Sequence, residues 1–295
     1  MQVAIIGANG QLGTDLCREL AAQSVSVLPL TRRELDVSDS AQVERVLGSI
    51  KADVVISTAA FHKVEECEKQ AAQSFAVNAV GPRNLALACR QNNAVLVHFS
   101  TDYVFDGGQC QPYMETDLPR PLNVYGVSKL AGEHMVRLTW ERHFVIRTCG
   151  LYGVAGSAGK GGNFVETMLK KGHEGSPVRV VHDQVLTPTF TGDLAEAVAK
   201  LIQTESYGLY HISAEGECSW YEFARKIFEL EKLAVDLTPV STNEFPSPVQ
   251  RPAYSVLSKQ KLKGVGLRMP SWEHGLTHYL AARRDARKTA NTSLR

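Results

Sequence analysis

Short apolar runs, mostly β-branched, alternate with longer amphipathic stretches over the first half of the chain. This alternation predicts parallel strands joined by helices, because a crossover helix returns the chain to the same end of the sheet. We therefore predict an α/β fold with a doubly wound parallel sheet, whose ligands bind at the carboxyl ends of its strands. The strands are predicted at 3–7, 25–30, 53–58, 94–100 and 144–149, and the helices near 11–22, 40–50, 64–92 and 124–141.

The first predicted strand leads directly into the glycine-rich motif GANGQLG, residues 7–13, which opens the first predicted helix. In a turn of this kind the glycines permit a tight bend, let a pyrophosphate reach the helix N-terminus, and let helix and strand pack closely. The position favours a dinucleotide site of Rossmann type over a plain glycine-rich turn. The residues predicted to bind the cofactor here are Gly7, Asn9, Gly10, Gln11, Leu12 and Gly13.

The end of the second predicted strand bears on the choice of cofactor. An NAD site usually presents an acid there to the adenosine ribose, but this chain reads LTRRE, with Arg32 and Arg33. A guanidinium group suits the 2′-phosphate of NADP, so NADPH is favoured. Asp36 is close enough to leave NADH open, and an ordinary solvated loop is the alternative for the arginines.

The rhythm of the sequence changes after about residue 150, where the glycine-rich segment 153–163 precedes less regular helices and strands. We predict a dinucleotide-binding Rossmann-type domain over residues 1–150, to which later segments return. A smaller α/β C-terminal lobe over 151–280 would bind substrate. Residues 281–295 are polar and predict a fraying helix end or a flexible tail.

Composition excludes several classes of function. Lys and Arg total 32 and Asp and Glu total 31, so no field of one sign would attract nucleic acid or an anionic membrane. Nothing resembles a signal peptide or a membrane span, and we predict a cytoplasmic protein. The six cysteines and nine histidines have no ligand spacing, which predicts reduced core cysteines and no metal.

Two segments carry the candidate chemistry. FSTDYVFDG, residues 99–107, follows the fourth strand, and YGVSK, residues 125–129, places Tyr125 and Lys129 on one helix face. An ammonium near a phenol lowers the phenol pKa, which suits proton transfer during carbonyl reduction by hydride. Alone, the first segment could be a self-bonded turn and the second an ordinary helix surface. Together with the glycine turn they predict a reductase.

The sequence resembles the extended short-chain dehydrogenase/reductases, and among them the dTDP-4-dehydrorhamnose reductases, from Met1 to about Leu280. The resemblance implies NADPH-dependent reduction of the C4 keto group of a nucleotide-linked 6-deoxy sugar, with dTDP-4-dehydro-L-rhamnose converted to dTDP-L-rhamnose. Besides the three motifs above it rests on STAAFHKVEECE at 57–68, NAVGPRNLA at 78–86, PLNVYGVSKLAGE at 121–133, GGNFVETML at 161–169, DQVLTPTFTGDLA at 183–195, GLYHIS at 208–213 and RPAYSVLS at 251–258.

The same resemblance implies roles for individual residues. Thr101 would hydrogen-bond the substrate carbonyl, Tyr125 would protonate the developing oxyanion, and Lys129 would bind the nicotinamide ribose and hold down the tyrosine pKa. Asn78 would organise the helix behind the site, and a purely structural amide is the alternative. Further expected contacts are Ala59, Ala60 and Phe61 with the cofactor, and Asp102, Val104, Asn163, Gln184 and Arg251 with the substrate. Two alternatives stay open: Gln184 could belong to a plain turn, and Arg251 could form an ion pair within the lobe.

Departures from related families keep other functions open. Nucleotide-sugar 4,6-dehydratases look like TDE where this chain has Tyr103 after Asp102, so elimination is disfavoured. Rhamnose-forming reductases look like RTSW where this chain has Gly150 in RTCG, so a different keto sugar stays open. The non-catalytic regulatory β subunit of methionine adenosyltransferase is also similar, but its corresponding block lacks the threonine at 101. A homodimer is left open.

Overall fold

A computed structural model describes residues 1–155, 162–245 and 247–292, so residues 156–161 of the predicted glycine-rich segment lie outside the described residues. The strands are β1 Gln2–Ile6, β2 Ser26–Leu30, β3 Val54–Ser57, β4 Val95–Thr101, β5 His143–Thr148, β6 Leu151–Tyr152, β7 Val178–Val181, β8 Val185–Leu186, β9 Thr189–Phe190, β10 Gly208–His211, β11 Cys218–Ser219 and β12 Leu237–Val240. The α-helices are α1 Gln11–Ala22, α2 Ser40–Ser49, α3 Val64–Lys69, α4 Ala71–Phe75, α5 Gly81–Asn92, α6 Val124–Thr139, α7 Phe164–Glu174, α8 Thr191–Leu201, α9 Trp220–Leu230, α10 Gln260–Gly264 and α11 Trp272–Thr292.

One parallel sheet of six strands organises the molecule, in the order β2-β1-β3-β4-β5-β10. Its central strands are apolar on both faces, as expected where helices cover both sides. The strand order reverses between β1 and β3, and a doubly wound sheet binds ligands at such a switch point. The predicted fold class is confirmed.

Each face of the sheet has its own helical layer. Helices α1 and α8 pack together on one face, where Leu16 and Leu194 belong to one apolar cluster. Helices α2, α5 and α6 cover the other face, where Leu85 and Val136 belong to a second cluster. Because α8 and β10 come from the second half of the chain, that half returns to the sheet. The division at residue 150 stays a prediction.

The stretch predicted as one helix near 64–92 is interrupted. It forms α3, α4, a π turn at Ala76–Val80, and α5. The chain breaks first at Gln70, between α3 and α4. Within the π turn, the Asn78 side-chain oxygen accepts from the Phe61 backbone N–H at 2.8 Å, and its amide donates to the Phe61 carbonyl at 2.9 Å. These bonds tie the turn to the loop after β3, and single π turns of this kind often occur at functional sites.

The C-terminal lobe is built around an aromatic core between α7, α9 and α11. Tyr152, Phe223 and Tyr279 are buried in this core. The ring centroid of Tyr152 lies 5.4 Å from that of Phe223 and 5.2 Å from that of Tyr279. Helix α11 continues to Thr292, and buried Arg283 on it pairs with Glu166. The chain beyond 280 therefore begins as part of a packed helix rather than as a tail.

Candidate active site

A cleft of about 520 Å³ opens at the carboxyl ends of β1, β3, β4 and β5 and extends to the C-terminal lobe. Most of the residues predicted to bind cofactor or substrate, or to act in catalysis, line this cleft. They are Gly7, Gly10, Gln11, Leu12, Ala59, Ala60, Thr101, Asp102, Tyr125, Lys129 and Asn163. The predicted residues outside this lining are Asn9, Gly13, Arg32, Asp36, Phe61, Val104, Gln184 and Arg251.

The glycine turn forms one end of the cleft, and its shape depends on the absence of side chains. Gly7 has φ of +80°, which disfavours other residues, and a Cβ added at Gly13 would overlap the Gly7 carbonyl. Gly10 caps α1 without a side-chain hydrogen bond, so the first-turn N–H groups stay open to an outside acceptor. This end of the cleft fits a pyrophosphate at a helix N-terminus.

The loop after β2 lies beside that turn, because the Gly7 N–H donates to the Leu30 carbonyl at 2.8 Å. The Arg32 side chain is largely exposed and pairs with Asp36 at 3.3 Å. Asp36 also accepts from the Ser38 hydroxyl at 2.6 Å, and hydrogen bonds from Ser38 are the main cause that lowers its pKa. The exposed group here is the guanidinium rather than the carboxylate, which fits a 2′-phosphate.

Thr101 ends β4 and is held in place by its neighbours. Its hydroxyl donates to Asp102 at 3.0 Å and accepts from the Tyr103 N–H at 3.1 Å. The buried carboxylate of Asp102 also accepts from Ser255 at 2.6 Å and from the Cys149 thiol at 3.1 Å. Burial raises the pKa of Asp102, and these hydrogen bonds act against that shift. The predicted contact of Asp102 with substrate stays a prediction.

Tyr125 lies in the first turn of α6, whose N-cap Asn123 accepts from the Gly126 N–H at 2.9 Å. A Cβ at Gly126 would overlap the Tyr103 carbonyl, so this glycine lets α6 approach the end of β4. The Tyr125 phenol and the Thr101 hydroxyl line the same cleft. Burial raises the Tyr125 pKa, and the nearby Thr101 side chain acts in the opposite direction. The expected lowering of this pKa by Lys129 is not found: burial is the largest cause of the shift, and Lys129 is not among the groups that contribute to it.

Lys129 lies one turn further along α6, with 2% of its surface exposed. Burial lowers its pKa to about 8, and the nearby Glu133 carboxylate acts in the opposite direction. The ammonium is therefore charged at neutral pH and neutral in alkaline solution. The site thus holds a protonated phenol and an ammonium in one cleft, which is the arrangement that proton donation to a carbonyl oxygen needs.

The model of a known family, described as the RmlD substrate binding domain, matches residues 1–284. The chain belongs to this family. The spore coat polysaccharide biosynthesis protein SpsK of Bacillus subtilis is 42% identical over 285 residues, covering 97% of this chain and 99% of that protein. A dTDP-4-dehydrorhamnose reductase of Burkholderia thailandensis is 35% identical, and the match covers 94% of this chain and 97% of that protein.

A solved structure of dTDP-4-dehydrorhamnose reductase from Bacillus anthracis, in complex with NADP, superposes with a TM-score of 0.91. It is 42% identical and covers 95% of this chain and 99% of its own. These comparisons confirm the predicted family and, through the reductases in it, the predicted oxidoreductase class. The predicted cofactor agrees with the NADP bound in that relative.

This RmlD-family chain carries a buried charge network that the sequence reasoning missed. Arg147 of β5 and Glu133 of α6, only 2% and 1% exposed, pair at 2.7 Å, and the Ser100 hydroxyl donates to Glu133 at 2.5 Å. Glu133 and Arg147 are fourteen positions apart, which gives no local pattern, so only the fold brings them together. The pair fixes α6, and with it Tyr125 and Lys129, against the sheet.

Three residues predicted to bind substrate are placed differently. Val104 is fully buried in an apolar cluster with Phe105 and does not reach the cleft, so that prediction is wrong. Arg251 pairs with Glu65 of α3, so its ion pair crosses to the first half of the chain and does not lie within the lobe. Gln184 donates to the Thr242 hydroxyl at 3.1 Å, outside the lining.

Asn163 lies where predicted, but its polar atoms are engaged within the protein. Its amide donates to Gln11 at 3.2 Å and to the Gly153 carbonyl at 3.0 Å, and its oxygen caps α7 by accepting from the Glu166 N–H. Asn163 therefore joins the lobe to the glycine turn. A contact with substrate stays a prediction.

Two further findings bear on partners. No group of three or more His, Cys, Asp or Glu side chains that could hold a metal ion is found among the described residues. None of the helices in the described part of the chain has the length and apolar content that a membrane span requires.

Proposed function

We propose that the protein reduces the C4 keto group of a nucleotide-linked 6-deoxy sugar with NADPH, and that its substrate is dTDP-4-dehydro-L-rhamnose. The observation that carries the proposal is that Thr101, Tyr125 and Lys129 line one cleft, which begins at the glycine turn. The relatives named dTDP-4-dehydrorhamnose reductase support the choice of sugar.

The chain's residues can hold the cofactor. The open N–H groups of the first turn of α1 receive the pyrophosphate, and Arg32 pairs with the 2′-phosphate. Ala59 and Ala60 border the cleft with small side chains, which leaves room for a flat ring system. When bound, NADPH supplies the hydride that reduces the keto carbon.

The catalytic residues supply the proton and the charge. The Tyr125 phenol, whose pKa is raised, stays protonated at neutral pH and gives its proton to the carbonyl oxygen as the carbon is reduced. Thr101 hydrogen-bonds the same oxygen, and the Lys129 ammonium stabilises the phenolate that remains. Asp102 fixes the position of Thr101.

The product identifies the reaction. Purified protein is incubated with dTDP-4-dehydro-L-rhamnose and NADPH deuterated at the hydride position, and the sugar is analysed by NMR. We expect deuterium at C4 of dTDP-L-rhamnose. Loss of the keto sugar with label elsewhere, or no conversion in the presence of bound NADPH, would contradict the proposal.

A reductase of a different keto sugar is the second candidate. Gly150 lines the cleft with φ of +56°, and a Cβ there would lie 3.0 Å from Leu186, so this wall carries no side chain. The Bacillus subtilis relative is named for spore coat polysaccharide rather than for rhamnose. The same assay with other dTDP-linked 4-keto sugars distinguishes the two, because the true substrate has the highest kcat/KM.

A further inference from the structure

The wall that the C-terminal lobe contributes to the cleft is aromatic. Trp220 lines it together with Phe164 and Phe223, and the ring centroids of Trp220 and Phe164 are 4.6 Å apart. Trp220 is partly exposed. An exposed indole in a cleft offers an apolar face and one donor to a ligand.

The backbone of Trp220 is fixed. It is the first residue of α9, where Ser219 and Glu222 form a capping box with bonds of 2.8 and 3.1 Å. Its N–H also donates to the Gln184 carbonyl at 3.3 Å. The ring therefore stands in the wall before any ligand arrives, so little conformational entropy is lost on binding.

The position of the ring identifies which part of a ligand it meets. Trp220 packs against the apolar cluster that contains Leu186 and Cys149. Leu186 adjoins the bare Gly150 wall, and the Cys149 thiol donates to Asp102, the residue that holds Thr101. Through these contacts Trp220 is connected to the end of the cleft that contains Thr101.

We infer that Trp220 is a specificity-determining residue whose indole packs on the sugar ring that carries the keto group. A sugar ring presents C–H bonds on its face, and a 6-deoxy sugar adds a methyl group, so both suit an aromatic surface. Phe164 lines the cleft beside the indole and packs against it. This inference rests on the proposed function, since it names the part of that substrate which the wall recognises.

Intrinsic fluorescence tests the contact without turnover. The chain has three tryptophans. Trp140 lies outside the cleft lining and donates to the Ala94 carbonyl at 2.8 Å, so Trp140→Phe is the matched control. On titration with dTDP-L-rhamnose, the wild type and Trp140→Phe should change in emission, while Trp220→Phe should bind and lose most of the change. A full response in Trp220→Phe would overturn the inference.

Kinetics give the second readout. Trp220→Leu should raise KM for the keto sugar by about tenfold, with KM for NADPH unchanged, because an aromatic contact is lost at one ligand only. NADPH binding by the variant shows that it is folded, and Trp220→Phe should restore most of the affinity. An unchanged KM for the sugar in Trp220→Leu would overturn the inference.

Two further measurements, a titration with dTDP alone and the turnover of the wild type, distinguish a contact with the nucleotide from a contact with the sugar and test the proposed function separately. A response to dTDP alone as large as that to dTDP-L-rhamnose would assign Trp220 to the nucleotide and overturn its assignment to the sugar. Failure of the wild type to turn over any keto sugar would contradict the proposed function, and the titration would still decide whether Trp220 meets the sugar.

Discussion

At the scale of single residues, Tyr125 is the group on which the proposed chemistry depends. Tyr125→Phe removes the hydroxyl and keeps the ring packed 5.9 Å from Tyr103. We expect kcat to fall by about a hundredfold or more, because a positioned general acid contributes at least that much. NADPH binding, measured by titration, should change little. A variant as active as the wild type would exclude Tyr125 as the acid.

Lys129 predicts the pH dependence. Its pKa of about 8 means that rising pH through this value removes the positive charge that Lys129 brings to the cleft. We therefore expect kcat/KM for the keto sugar to be steady near neutral pH and to fall above about pH 8. The pH–rate profile of the free enzyme reports this group. A profile that stays flat well into the alkaline range would contradict the role of Lys129.

Arg32 predicts the preference between cofactors. Arg32→Ala should raise KM for NADPH by about tenfold and leave KM for NADH unchanged, since only NADPH carries the phosphate that a guanidinium pairs with. Arg33→Ala is the matched control, because it tests the neighbouring arginine on the same loop. Equal effects on both cofactors in Arg32→Ala would indicate a structural role instead.

The sequence predicted Tyr125 and Lys129 from their spacing on one helix face, and the family resemblance added Thr101. The structure places all three in one cleft, and their catalytic roles stay a prediction. The prediction that Val104 contacts substrate was wrong, because the sequence after a strand does not show which side chains face the cleft and which enter the apolar core. The sequence reasoning missed Trp220, whose place in the cleft depends on the packing of a distant helix.

At the scale of elements, a buried ion pair fixes α6 against β5. Arg147→Met leaves the Glu133 carboxylate buried without its partner, and we expect a loss of about 3–5 kcal/mol in the free energy of unfolding. Denaturant titration measures the loss. The double variant with Glu133→Leu should recover much of it, because no buried charge then remains. A single variant as stable as the wild type would show that the pair contributes little.

The segment predicted as one helix near 64–92 shows a limit of predicting helices from amphipathic periodicity. Its amphipathic spacing continues across Asn78, so the pattern alone gives no break. The π turn contains Asn78, whose side chain contacts Phe61 seventeen positions earlier. Such a side-chain contact to a loop has no signature in periodicity.

At the scale of the whole molecule, the alternation of strands and helices was sufficient to predict the parallel sheet and the edge at which the cleft opens. The return of β10 and α8 to that sheet was foreseen only in general terms. The connection through Asn163, which joins the lobe to Gln11, could not be predicted, because both residues are polar and lie 152 positions apart.

The central claim is tested most directly by the rate of NADPH oxidation with dTDP-4-dehydro-L-rhamnose, for the wild type and for Tyr125→Phe in parallel. The account predicts turnover that requires the sugar, with at least about a hundredfold less in the variant. Wild-type protein that binds NADPH but does not oxidise it with this or any related dTDP-linked 4-keto sugar would contradict the account.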